Sequence, residues 1–216
     1  MNQDIQQGLG AALDLQARGD TIGAANAFER LGGVSDDHRF AEEAGNRFLY
    51  QLGDAASALR AYRRAVDLAD DRQVKAELWH RIGIAHTKLN DDASASVAFQ
   101  EAHKNDPIHA GTFLEVARLC MRAGHHQDAL EYLDTAWAHH TMQSALMGGP
   151  SAQFRALVTM DKARVFLKHL GDLNRGLAAA AVLLEMEDRD RLRTLVTELQ
   201  QMGRLEAATR VRSLVS

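Results

Sequence analysis

Ten histidines in 216 residues are the first place to look for chemistry, because imidazole serves both as a metal ligand and as a general base. His125-His126 and His139-His140 are adjacent pairs, and sequence neighbours on a helix do not share a face. Neither pair has a Cys, Asp or further His at a spacing that would close a tetrahedral site, so incidental surface histidine is expected, with no metal and no other cofactor. Cys120 falls among apolar residues and reads as a small hydrophobe rather than a nucleophile. The acidic pairs Asp36-Asp37, Asp70-Asp71 and Asp91-Asp92, and Asp172, could do acid–base work. Each precedes a helical segment, where a carboxylate caps exposed N–H groups, and capping is the expected role. Asp106-Pro107 reads as an N-cap followed by proline at the first helical position. No phosphate-cradling glycine loop, nucleophile elbow or HExxH run is present, and Gly8 and Gly10 lie in a helical pattern without a preceding strand. The sequence therefore does not read as an enzyme.

What must position any such residue is helix. Only two prolines, Pro107 and Pro150, interrupt the chain, and β-branched and aromatic residues are sparse. A 46% hydrophobic and 25% charged composition is that of a folded domain of ordinary polarity. The net charge of −4 argues against general nucleic-acid binding, which depends on a basic surface. One cysteine excludes an internal disulfide, and neither a signal peptide nor an apolar run of spanning length is visible, so a cytoplasmic protein without membrane contact is expected. Arg outnumbers Lys four to one, a bias found in GC-rich bacterial genomes.

One stretch sets the register. From Trp79, Ile82 and Gly83 follow at three and four, His86 at seven, Ala95 at sixteen, Phe99 at twenty and Pro107 at twenty-eight. Shifted on by 34 residues, the same slots hold Phe113, Val116, Ala117, Cys120, Ala129 and Leu133. Ala58 and Tyr62, Ala24 and Phe28, and Gly176 and Ala180 repeat the second half, with turns at Gly53-Asp54, Gly19-Asp20 and Gly171-Asp172. A worn sixth copy turns near Gly203. This spacing resembles the tetratricopeptide repeat pattern W-x2-L-G-x2-Y, A-x3-F, P, with His86 standing where tyrosine is usual. The resemblance implies an all-α, right-handed superhelix (an α-solenoid) of about six helical hairpins, at approximately 5–35, 38–70, 75–107, 110–147, 150–187 and 188–216, forming a single domain over 1–216. Thirteen additional residues between the fourth and fifth copies predict lengthened helices over 128–170 that turn at Gly148-Gly149-Pro150 and carry Trp137, Met142, Leu146, Met147 and Phe154.

In this family the first helices of successive hairpins line a groove for a peptide or helix. The positions one, five, eight and nine after the Trp79-type slot are then expected to face a partner. They include Arg47 and Tyr50, His80 and Lys88, Arg118, Met121 and Arg122, and Lys168, while the first copy offers Leu9 and Leu13. The inferred groove is partly basic and suits an acidic, partly apolar peptide of a protein partner. Glu43 stands where a lysine is needed to clamp the acidic tail of a heat-shock chaperone, so that specialisation is not expected. Two alternatives stay open: a homodimeric scaffold assembled through the hairpin 128–170, and a regulatory protein whose groove senses a ligand.

Overall fold

The computed structural model describes residues 3–145 and 148–215; Leu146 and Met147, expected on the extended hairpin, lie outside them. The described residues form helices α1 (Gln3–Ala17) to α12 (Leu205–Val215) and no strand. Asp20, Asp37, Asp54, Asp71, Asp91, Asp172 and Asp188 each accept a backbone N–H two or three residues on, at the start of a helix. Each such cap contributes about 0.5–2 kcal/mol, which is why the acidic pairs recur with the period of the helices. At Asp106-Pro107 the structure departs from expectation. Asp106 ends the preceding helix, and its carboxylate accepts the Ile108 N–H at 3.1 Å. That Asx turn competes with capping, and the next helix starts only at Ala110, where His109 Nδ1 accepts the Thr112 N–H at 3.2 Å.

Contacts divide the chain into two compact units, Met1–Ile108 and His109–Ser216. Unit 1 holds the hairpins α1 and α2 (Thr21–Val34), α3 (His38–Asn46) and α4 (Ala55–Leu68), and α5 (Arg72–Lys88) and α6 (Asp92–Asn105). One continuous apolar core runs through it, from Phe28 and Leu31 through Phe48, Leu49 and Tyr62 to Leu78 and Ile82. The small slots Ala24, Ala58 and Ala95 are fully buried, as are Tyr62 and Phe99, which fill the gaps between helices.

Unit 2 holds α7 (Ala110–Ala123) and α8 (His126–Ser144), α9 (Ala152–Arg164) and α10 (Leu173–Glu185), and α11 (Arg189–Gln201) and α12. Its core is broken into three clusters. One joins Leu114, Leu133 and Val158; a second joins Ala129, Leu130 and Val165; a third joins Met160, Leu167 and Leu183 to Leu192, Leu195 and Val211. At 19 residues α8 is the longest described helix, and it carries Trp137 half-buried and Met142 exposed beyond the ordinary hairpin length.

The middle hairpin of each unit shares the run Phe-Leu-x-x-Leu-Gly-Asp, at Phe48–Asp54 and Phe166–Asp172. In both, the first helix finishes in a π-helical segment, Arg47–Gln51 after α3 and Val165–Leu170 after α9. The turn N–H then reaches six residues back, Asp54 to the Phe48 carbonyl at 2.8 Å and Asp172 to the Phe166 carbonyl at 2.9 Å. Plain hairpins reach five, as Asp91 does to His86 and His125 to Cys120. One additional residue is thus absorbed in each middle hairpin. Close packing confirms the shift. A methyl group on Gly83 would lie 2.3 Å from the Phe99 ring, and one on Gly45 would lie 2.5 Å from the Tyr62 ring. Tyr62 precedes Phe99 by 37 positions whereas Gly45 precedes Gly83 by 38, so α3 is one residue out of step with the spacing rule.

Candidate functional site

In unit 2, Arg118, Met121 and Arg122 of α7 and Lys168 and His169 of the π-helical segment line one cleft of about 420 Å³ with Asp161 and Arg164 of α9. Four of the eight residues expected from spacing therefore converge on one concavity. Its charges are arranged as a ladder. Arg118 donates from Nε to Asp161 Oδ2 at 2.8 Å and from NH1 to Glu115 at 2.6 Å. Asp161, only 1% exposed, accepts Arg164 NH1 on its other oxygen at 2.7 Å. Arg164 donates from NH2 to Glu198 of α11 at 2.8 Å, and Lys168 donates to Glu198 at 2.9 Å.

These pairings set the electrostatics. Burial disfavours the Arg118 cation, but Asp161 and Glu115 outweigh it and raise its pKa; Arg164 follows the same balance with Glu198 and Asp161. Burial would raise the Glu198 carboxyl, yet the hydrogen bonds from Arg164 and Lys168 hold it below its ordinary value. Within the ladder three cations (Arg118, Arg164, Lys168) face three anions (Glu115, Asp161, Glu198). Arg118 and Lys168, which spacing picks out as cations for a partner, are thus already paired within the fold. Arg118 NH2 has no protein partner among the described residues. At the rim, His169 stacks on His126 with centroids 4.2 Å apart. Burial, then His126, Lys168 and Arg204, push the His169 pKa down.

Unit 1 separates the residues that spacing grouped. Arg47 is 5% exposed, held by Gln16 at 2.8 Å and Glu43 at 2.7 Å with its guanidinium over the Phe28 ring. It packs the hairpin and offers nothing to a partner. The π-helical shift explains this: upstream of the bulge the register falls one residue earlier, on the half-buried Glu42 and Asn46, which accept from Arg81. Val165, where the π-helical segment after α9 begins, is buried as well. Downstream of the bulge the register is regained, and Tyr50 is 57% exposed. Lys88 is exposed and His80 is half-buried against the Phe99 ring. Spacing missed Arg81, which donates to Glu42 at 2.7 Å, Asn46 at 2.9 Å and Glu77 at 2.8 Å. Asn46 also accepts the Tyr62 hydroxyl at 2.8 Å. A Glu77–Arg81 pair four apart on one helix was the available signal.

Cys120 is half-buried rather than fully enclosed, and burial pushes its thiol pKa up, against nucleophilic use. Among the described residues no group of three His, Cys, Asp or Glu is placed to hold a metal ion, and no helix is long and apolar enough to cross a membrane.

No protein-family model matches the chain, and no curated protein matches it in sequence. Solved structures do. The MamA protein superposes with a TM-score of 0.64 over 88% of this chain and 94% of its own, at 15% identity. PilW, a type IV pilus biogenesis factor, gives 0.65 over 89% of this chain and 82% of its own, at 18% identity. The Cut9–Hcn1 hetero-tetramer of the APC/C gives 0.67 over 96% of this chain and 41% of that chain, at 11% identity. These are tetratricopeptide repeat (TPR) proteins. The fold is the TPR fold. At these identities the likeness concerns architecture alone. Within a TPR frame, α1, α3, α5, α7, α9 and α11 are the first helices of their hairpins, and the ladder of unit 2 runs across three of them.

Proposed function

We propose that this chain is a protein-interaction module that seats a partly apolar, acidic segment of a partner protein on its first-helix faces, with the six hairpins serving one module and no catalytic step. The observation that supports this is the convergence of Arg118, Met121, Arg122 and Lys168 on one cleft, where Arg118 keeps a donor without a protein partner. The ion-pair ladder holds these side chains in place before a partner arrives, which lowers the entropy lost on binding. Tyr50, His80 and Lys88 extend the same reading to unit 1, and Arg47 drops out of it.

The test uses Arg122→Glu, an exposed position outside the ladder. Affinity capture from a native lysate with the wild-type protein is expected to enrich a partner that the variant loses, while both keep the helical circular dichroism of the folded chain. Equal capture by both proteins would sink the reading.

A second reading, self-association through the extended hairpin, is favoured by one observation: Met142 is 57% exposed on the longest helix. Light scattering at high concentration decides it, since a strict monomer excludes the scaffold.

A further inference from the structure

The helix α9 has two working sides. Asp161 and Arg164 face the ladder, while Arg155, Val158, Thr159 and Lys162, at intervals of three, one and three, form the other stripe. That stripe floors a second depression of about 310 Å³. Trp137 of α8 makes one wall, and Ala178, Ala179 and Val182 of α10 make the other. The walls belong to second helices, so this depression is distinct from the cleft on the first helices. It forms because α9 packs against both α8 and α10 while those two scarcely touch each other.

We propose that this depression is a docking site for an amphipathic helix of a partner protein, one presenting a large apolar side chain flanked by two carboxylates. Three properties select that occupant. The floor and walls between the charged ends are apolar or small: Val158 is buried, Trp137 is half-buried, and Ala178 leaves room for close backbone approach. Trp and Arg around an apolar pocket are also the residue types that dominate binding energy.

The ends are cationic. Arg155 is exposed and its side chain has no partner among the described residues. Lys162 is committed only to the largely exposed Asp134, a surface pair that a partner carboxylate can replace. Arg155 and Lys162 are seven residues apart, about 10 Å along α9, so the matching carboxylates are spaced one heptad apart on the partner.

Finally, every lining residue lies inside a helix whose backbone groups are already bonded. An extended segment laid in the depression would bury N–H and C=O groups with nothing to pair with, whereas a helix satisfies its own.

The probe is a side-chain-stapled helical peptide of about 18 residues, fluorescently labelled. It carries Glu at two positions seven apart and Leu at the two positions three and four after the first Glu. Anisotropy titration against the full chain is expected to show saturable binding. Ala178→Glu and Arg155→Glu, both at exposed sites, are each expected to weaken it about tenfold or more, with Arg122→Glu leaving it unchanged. A peptide with both Glu replaced by Lys is expected not to bind. Loss of binding in Arg122→Glu with Ala178→Glu unaffected would place the peptide in the first-helix cleft and overturn the proposal. So would equal binding of the Lys peptide, or no saturable binding of the Glu peptide. Because the capture experiment turns on Arg122 and this one on Ala178 and Arg155, the two proposals fail separately.

Discussion

Asp161 and Arg81 show how a position on a first helix becomes structural. Asp161 is nearly fully buried and holds one arginine on each oxygen, at 2.8 and 2.7 Å. Removing it strands two guanidinium groups that the fold keeps half-buried. Asp161→Ala is therefore expected to destabilise unit 2 by about 3 kcal/mol, within the range for breaking one side of a buried ion pair. Urea denaturation followed by circular dichroism checks this, and a change within about 0.5 kcal/mol would mean that Asp161 is an ordinary surface position. The ladder also explains why Arg118 is a poor charge-reversal site. A glutamate there would meet Glu115 and Asp161, so loss of binding would not be separable from loss of folding.

At the scale of elements, the two π-helical segments decide what was legible. Helix type, hairpin number, the glycine turns and the aspartate caps other than Asp106 followed from spacing, because each is a local rule acting within a few residues. The face of α3 did not follow. A repeat rule counts residues, and a π-helical turn takes up one more without changing the turn that follows it, so Arg47 was placed on a face whose positions are taken by the half-buried Glu42 and Asn46. The shared Phe-Leu-x-x-Leu-Gly-Asp run marks both bulges, but its meaning needs a backbone to see. The shift makes a specific expectation. Gly45, not Asn46, is the close-contact position under Tyr62, whose hydroxyl is tied to Asn46. Gly45→Ala should cost about 1–3 kcal/mol through overpacking, read as a lowered urea midpoint with an unchanged slope. A neutral result there would place the register of α3 back where spacing put it. His109 is a second case, since an imidazole cap is a choice that the Asp106-Pro107 sequence does not announce.

On the scale of the whole molecule, the two units differ in how they are held together. Unit 1 has one continuous apolar core through three hairpins, whereas unit 2 has three separate clusters. The fragment 1–108 is accordingly expected to fold alone, with helical circular dichroism and a cooperative melt. A fragment without a melting transition would show that its core depends on residues beyond Ile108.

In unit 2, α7 meets α9 in the Leu114–Val158 cluster and α9 meets α11 in the Met160–Leu195 cluster, and the ion pairs of Arg118, Asp161, Arg164 and Glu198 bridge the same helices. Charge there adds to packing that no single cluster carries through the unit. Charge pairs with exposed members weaken as ions are added, while apolar burial is strengthened by the same salts that are excluded from protein surfaces. Added salt therefore acts on the ladder and on the apolar clusters around it in opposite senses. It is expected to loosen the partly exposed members Arg118, Arg164 and Lys168, and with them the hold on the side chains that line the cleft.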